Sequence, residues 1–352
     1  MIQRDDLRAA VSAGLVSEAQ AARLAALADS RRGARENLAP GDEPFELFKG
    51  FNEIFIVVGL GILSLGWIGI STVAAASEIV HIKTFGITRA VIGAALIWAM
   101  SEYFIRRRRM VAPAIALTAM WAGNAAFGFI TWLSEPFMVA QNDLSSLPIP
   151  IALSTLAILV FWFRFRVPIA LAVVALGTFT VAVIATAQNT VRPTSIADFF
   201  ELSAEGSYAW ITLVLGLVTF ACAMWFDMSD PHRVTRRSAN GFWLHIVAAP
   251  AIVNTVALTL LTGNQATVLL VVFLTGIALA AVVIDRRSFL IAGIGYVVAL
   301  ATTLGGTDGA AMTVFLLGIA LLALGAFWER IRSVILGVLG PALPLTRLPP
   351  TA

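Results

Sequence analysis

The sequence predicts an all-α protein: a polytopic transmembrane helical bundle of about ten spans, N-in and C-in, with a small cytosolic N-terminal helical hairpin. Three observations predict it. Hydrophobic residues make up 59% of the 352 residues and charged residues only 13%, whereas a soluble domain is nearer half apolar and a quarter charged. The apolar residues gather in runs long enough to cross a hydrocarbon core of about 30 Å as helices. The positive charge is sorted between the connections: of the 24 Lys and Arg, only Lys83, Arg89 and Arg192 fall on the side opposite the rest. Basic loops resist translocation, so the bias fixes the orientation.

Taken in order, residues 1–43 form a charged cytosolic hairpin and linker. A first helix from about Arg4 to Ala13 stops at Gly14, a residue suited to a helix C-terminus. Ser17-Glu18-Ala19-Gln20 reads as a capping box opening a second helix. The pair is too small to hold a core alone, so residues 1–30 are expected to dock on a protein partner, a second copy or the chain's own membrane domain. Gly33, Pro40 and Gly41 mark the linker. Phe45, Phe48 and Phe51 recur every three residues among charges, which fits either an interfacial helix or a plain lead-in to the first span.

The membrane domain occupies 44–330, with spans at 54–76, 85–105, 111–133, 147–163, 168–187, 207–226, 241–261, 266–284, 288–304 and 310–328. Inner turns are tight and basic, at Arg106 to Arg109, Arg164 with Arg166, Arg233 with Arg236 and Arg237, and Arg286 with Arg287. Outer loops carry acids such as Glu135, Asp143 and Asp198, and the stretch from Ser195 to Asp198 resembles a cap before a short helix. The glycine-rich turn at 305–309 lacks the strand, helix and Lys of a phosphate loop. Residues 331–352 form a cytosolic amphipathic tail, with a failed eleventh span as the alternative.

Composition also excludes. The net charge of +3 is explained by topology and anionic lipid, so the bilayer is the expected partner and nucleic acid is not. Cys222 cannot form an internal disulfide and reads as a small packing residue. The first 30 residues hold no apolar h-region of a signal peptide. No nucleophile–base, metal or cofactor motif is present, so no enzyme and no cofactor are expected.

Polar groups inside spans are the remaining candidates, because lipid makes each one expensive. Asn124 lies mid-span with Trp121 on the same broad face, either as interhelical glue or as a contact for a solute. Pro250 frees a backbone carbonyl within its helix, and Asn254 follows it by one turn on the same face. Glu102 stands four residues before Arg106, as a local ion pair or as a gate. His245 lies in the inner third of its span and faces away from Asn254, as a packed or interfacial histidine. Glycine and alanine pairs at Gly59 and Gly61, Gly66 and Gly69, Ala119 and Gly123, and Gly276 and Ala280 are expected to let helices approach closely. Trp132, Trp225, Trp243 and Trp328 sit near span ends, as interface belts do.

The stretch from Leu15 to Leu24, LVSEAQAARL, followed by a glycine-rich first span from Val57 to Gly69, resembles the opening of an uncharacterised bacterial multi-pass family with an N-terminal helical hairpin. That resemblance implies a bacterial plasma-membrane setting and assigns no functional residue. Ten spans with both ends inside also resemble the drug/metabolite transporter architecture, in count and orientation. The leading expectation is permease-like transport of a small neutral or weakly polar solute, along Asn124, Trp121, Asn254 and Pro250. The alternative is a non-transporting membrane scaffold that recruits a partner through its hairpin.

Overall fold

A computed structural model describes residues 4–31, 51–77 and 81–289, apart from 137, 139, 140, 142, 189, 205, 206, 234 and 263–266, with a discontinuous set between 292 and 349. The described elements are all helical. In chain order they are α1 (Arg4–Ser12), α2 (Glu18–Arg31), α3 (Phe51–Ser77), α4 (Ile82–Ser101), a π-turn (Glu102–Arg107), α5 (Ala112–Leu133), α6 (Pro148–Phe165), α7 (Ile169–Thr186), α8 (Tyr208–Met228), α9 (Arg236–Thr262), α10 (Thr267–Ile284) and α11 (Trp328–Leu339). The linker to residue 43, residues 44–50, the turn at 305–309, the greater part of the expected span 288–304 and a minor part of 310–328 lie outside the described residues.

Seven of the helices, α3 through α9, are long and apolar enough to cross a membrane. Their side chains confirm the solvent they are built for. Leu65, Ile70 and Val73 on α3 are 71%, 73% and 76% exposed, a bare apolar surface that water does not tolerate and lipid does.

The chain divides into two compact units. Pro44–Arg192 holds α3 to α7. Its core gathers Leu60, Ile97, Leu117, Phe161 and Phe165, with Trp98 and Trp121 packed on them. Helix starts in this unit use proline, where its missing donor costs nothing: α5 and α6 each carry one in the first turn. The start of α5 is also capped from a distance. Buried Glu53 of α3 accepts the Ala112 N–H at 3.0 Å and the Val111 N–H at 3.4 Å, placing a carboxylate at the positive end of the helix.

The second unit joins Met1–Glu43 with Pro193–Ala352. In its hairpin, Gly14 takes φ +70°, with Leu15 N–H on Ala10 O and Gly14 N–H on Val11 O. That pair of bonds is a Schellman motif. Ser17 and Gln20 exchange the two bonds of the capping box at 2.9 and 3.2 Å. Leu7, Ala21 and Ala22 are buried, while Leu15, Leu24 and Leu27 stay exposed.

In the same unit α9 is the most enclosed of the spanning helices. It begins at Arg236, earlier than the hydropathy boundary at 241, because Asp230 Oδ2 accepts both Thr235 N–H and Thr235 Oγ1–H just ahead of the polar first turn. Thr194 and Ser195 donate to Asp198 from backbone and side chain, and a single 3-10 turn (Ala197–Phe199) follows. Those backbone and hydroxyl bonds hold the Asp198 carboxyl below the usual carboxylate range. The bond from the Ser145 backbone does the same for Asp143 in the first unit.

Close helix approaches fall at other glycines than the sequence pairs indicate. Gly59, Gly61, Gly66, Gly69, Gly123 and Gly276 face open space among the described residues. A β-carbon would instead collide at Gly86 with Thr131, at Gly93 with Asn124, at Gly216 with Ala251 and at Gly241 with Asp227. Glycine spacing records that a helix is smooth; it does not record which side meets a neighbour. Cys222, expected to pack, is exposed on α8. Trp328, expected in an interface belt, is buried with its indole N–H on Asp285.

Candidate functional site

Among the described residues, the densest cluster of buried ionisable groups lies where α8 ends, α9 begins and α10 ends. Asp227 is the next-to-last residue of α8 and sits on its buried side. Gly241 of α9 lies against its Oδ1, so the absence of a side chain at that position lets the carboxylate reach the helix. One turn further along α9 is His245, fully buried, with Nε2 at 2.9 Å from Asp227 Oδ2. Asp285 follows α10 with φ 56°, and that left-handed residue turns Arg286 back into the bundle.

Arg286 is 2% exposed. Its Nε donates to Asp227 Oδ2 at 2.9 Å and its Nη2 to Asp227 Oδ1 at 2.5 Å, a two-pronged grip on one carboxylate. Nη2 also donates to Ser238 O at 3.1 Å. Phe220 and Phe289 stand edge-on to the imidazole, at 5.6 and 5.7 Å between ring centroids. An ionised carboxylate can only accept, so the imidazole nitrogen facing it carries the proton. Asp227 and Arg286 together are neutral.

A second tier ties this centre to the tail. Asp285 accepts the Trp328 indole N–H at 2.6 Å and pairs with Arg233 at 3.0 Å. Arg332 on α11 is buried and donates to Val282 O at 3.2 Å and to Pro349 O. Burial lowers its pKa. Trp328, Arg332 and Leu336 recur every four residues on the buried face of α11, while Val334 and Val338 are exposed, so the described part of the tail is amphipathic.

The residues singled out from sequence sit as follows. Asn124 donates from Nδ2 to Ala90 O on α4 at 2.8 Å, and Gly93 makes room for it. Trp121 donates from Nε1 to Ala157 O on α6 at 3.0 Å and stacks on Phe161. The two share α5 yet engage different neighbours. Glu102 opens the π-turn and pairs with Arg106 at 3.1 Å and with Arg164 at 2.6 Å. Pro250 lies inside α9. Asn254 follows one turn on, its carbonyl facing the Tyr296 hydroxyl at 3.4 Å. Asn254 and Pro250 belong to one unit, and Asn124, Trp121 and Glu102 to the other.

Sequence reasoning missed Asp227 and misjudged Arg286. The hydropathy window closed the span at residue 226, and Arg286 was counted with its neighbour as a loop charge. The available signal was an acid and a base at the ends of two spans predicted to face the same side.

Fold and side-chain chemistry together define an all-helical, multi-pass membrane protein. Comparison with protein-family models, curated proteins and solved structures finds no match.

Proposed function

We propose that the chain is a ten-span protein of the bacterial plasma membrane, with both termini in the cytoplasm, that acts as a permease for a small neutral or weakly polar solute. One observation carries the proposal: α9 carries a proline, Pro250, inside a long spanning helix, has the polar Asn254 one turn on, and is tied near its start to Asp227 by the His245 hydrogen bond. An internal proline leaves the carbonyl one turn earlier without its helical donor, which membranes tolerate where that backbone faces protein or a wet cavity, so Pro250 gives the tethered helix a defined place to bend. The sorted arginines support the orientation. The eighth apolar helix, α10 with 18 residues, and the apolar segments 288–304 and 310–328 support the span count. The resemblance of Leu15–Leu24 and the glycine-rich stretch Val57–Gly69 to a bacterial multi-pass family supports the setting.

The test is water access. In a Cys222→Ala background, Asn254→Cys is expected to react with a membrane-impermeant thiol reagent in intact vesicles. An Asn254→Cys that stays unreactive from both faces removes the solute path.

A scaffold role has one observation in its favour. The hairpin buries Leu7, Ala21 and Ala22 and leaves Leu15, Leu24 and Leu27 exposed, an apolar row that a soluble segment normally covers. Deleting residues 1–40 separates the two roles. A permease keeps its Asn254→Cys labelling, whereas a scaffold loses its cross-linked partner or second copy.

A further inference from the structure

We propose that Arg89 holds a phosphate oxyanion near the membrane edge, in a site shared with Phe127 and Thr131 on the seam between α4 and α5; the inference does not depend on the transport role proposed above. Arg89 follows Ile82, the first residue of α4, by about 10 Å of helix rise, and so lies within a spanning helix. Its guanidinium carbon stands 4.1 Å from the centroid of the Phe127 ring. Its Nε is buried and meets no acceptor, and no carboxylate among the described residues pairs with it. Arg106, Arg164, Arg233 and Arg286 each reach a carboxylate. A phenyl face attracts a cation without cancelling its charge, and a cation inside a span is ordinarily paired. Arg89 therefore has donors to give and, among the described residues, no protein anion to receive them.

The surroundings suit a phosphate. Side chains on a helix lean toward its N-terminus, which carries the Arg89 fork toward the Ile82 end of α4 and the headgroup level. On that side Phe127 and Thr131 close on Gly86: a β-carbon there would lie 2.8 Å from Thr131 Cγ2, 3.6 Å from Phe127 Cζ and 3.7 Å from Thr131 Oγ1. The ring that carries the guanidinium and the Thr131 hydroxyl thus meet at one point of the seam. Further along, Ala90 against Gly128 and Asn124 against Gly93 shut it. The planar fork offers parallel N–H donors that match two oxygens of a phosphoryl group, and the hydroxyl supplies a further donor. Lipid headgroups present such a group at the bilayer edge, and phosphate free in water presents the same oxygens.

The experiment uses the full chain in non-ionic detergent micelles. Phosphatidylglycerol is titrated in and native mass spectrometry counts the lipids retained, while inorganic phosphate is added in a parallel melting series. Arg89→Gln is expected to lose a lipid that the unaltered chain retains. Lys83→Gln removes the same charge from the exposed first turn of α4 and is expected to keep that lipid. Loss of the lipid with no response to inorganic phosphate assigns the headgroup as the source. A melting midpoint raised by inorganic phosphate in the unaltered chain and unmoved in Arg89→Gln assigns free phosphate. Equal lipid counts together with equal phosphate responses in the two chains overturn the proposal. Equal loss in Lys83→Gln and Arg89→Gln reduces the effect to net charge and overturns it too. If Arg89→Gln does not fold, Arg89→Lys makes the comparison: it keeps the charge without the fork and is expected to bind on the order of tenfold more weakly, and unchanged binding there overturns the site.

Discussion

Gly241→Ala is the sharpest perturbation of the α8–α9 junction. A β-carbon there would overlap Asp227 Oδ1, with Asp227 Cγ at 3.0 Å and Ala223 O at 3.2 Å. A flexible side-chain end could yield, but this carboxylate is held by two bonds from Arg286 and one from His245, and Ala223 O is backbone. The helices must separate or the carboxylate must leave its partners. Losing a buried ion pair's geometry costs about 3–5 kcal/mol. Alanine returns about 1 kcal/mol of helix propensity, so the net loss is roughly 2–4 kcal/mol. Denaturant titration of the protein in mixed micelles measures it. Gly276→Ala on α10 is the control, because a β-carbon there meets nothing within 4 Å and propensity alone acts. Equal stability of the two variants would refute the close approach of α9 to Asp227.

Asp227→Asn leaves the Arg286 guanidinium buried without its counter-charge and is expected to cost about 3–5 kcal/mol. The double variant with Arg286→Gln should cost less than the two single changes combined, and a double-mutant cycle reads the difference. Asn124→Ala removes the bond to Ala90 O and should destabilise by about 1 kcal/mol in the same titration. At Asp198 the four bonds from Thr194 and Ser195 lower the folded pKa. Their stabilisation is complete above the unfolded Asp value near about 3.9 and is lost as pH falls through the lower folded value. Exchange protection at the Thr194 and Ser195 amides should therefore survive at pH values where an ordinary Asp is half protonated, and loss of protection at that ordinary value would contradict the bonding seen.

Helices α3 to α10 were legible because lipid solvation acts locally: an uninterrupted apolar run declares itself without knowledge of its neighbours. The capping box at Ser17 and the Schellman turn at Gly14 were legible for the same reason, since every partner lies within five residues. The buried centre was not. Asp227 and Arg286 are 59 residues apart, and each looks like an ordinary helix-end charge until the other is placed against it. Glu53 and Ala112, also 59 apart, pose the same difficulty. For Asn124 the periodicity gave the inward face, and the partner, a bare carbonyl on Ala90, has no side-chain signature to read. Exposed Cys222 and the open glycines of α3 show the converse limit: small size in a span does not say which surface is turned to lipid.

Among the described residues, the non-glycine positions with positive φ are Arg109, Arg166, Arg233 and Asp285, one in each tight connection. A left-handed L-residue costs about 1–2 kcal/mol, and glycine would avoid it. At the three arginines one residue carries both the backbone kink and a cationic head, beside the other arginines of the same connections. Replacing the arginine with another L-residue removes the charge and keeps the strained φ, whereas grafting glycine to ease the bend deletes one charge of the cluster. Glycine at those sites is therefore expected to relax the connection and lower its positive charge in one step, while a neutral L-residue lowers the charge alone.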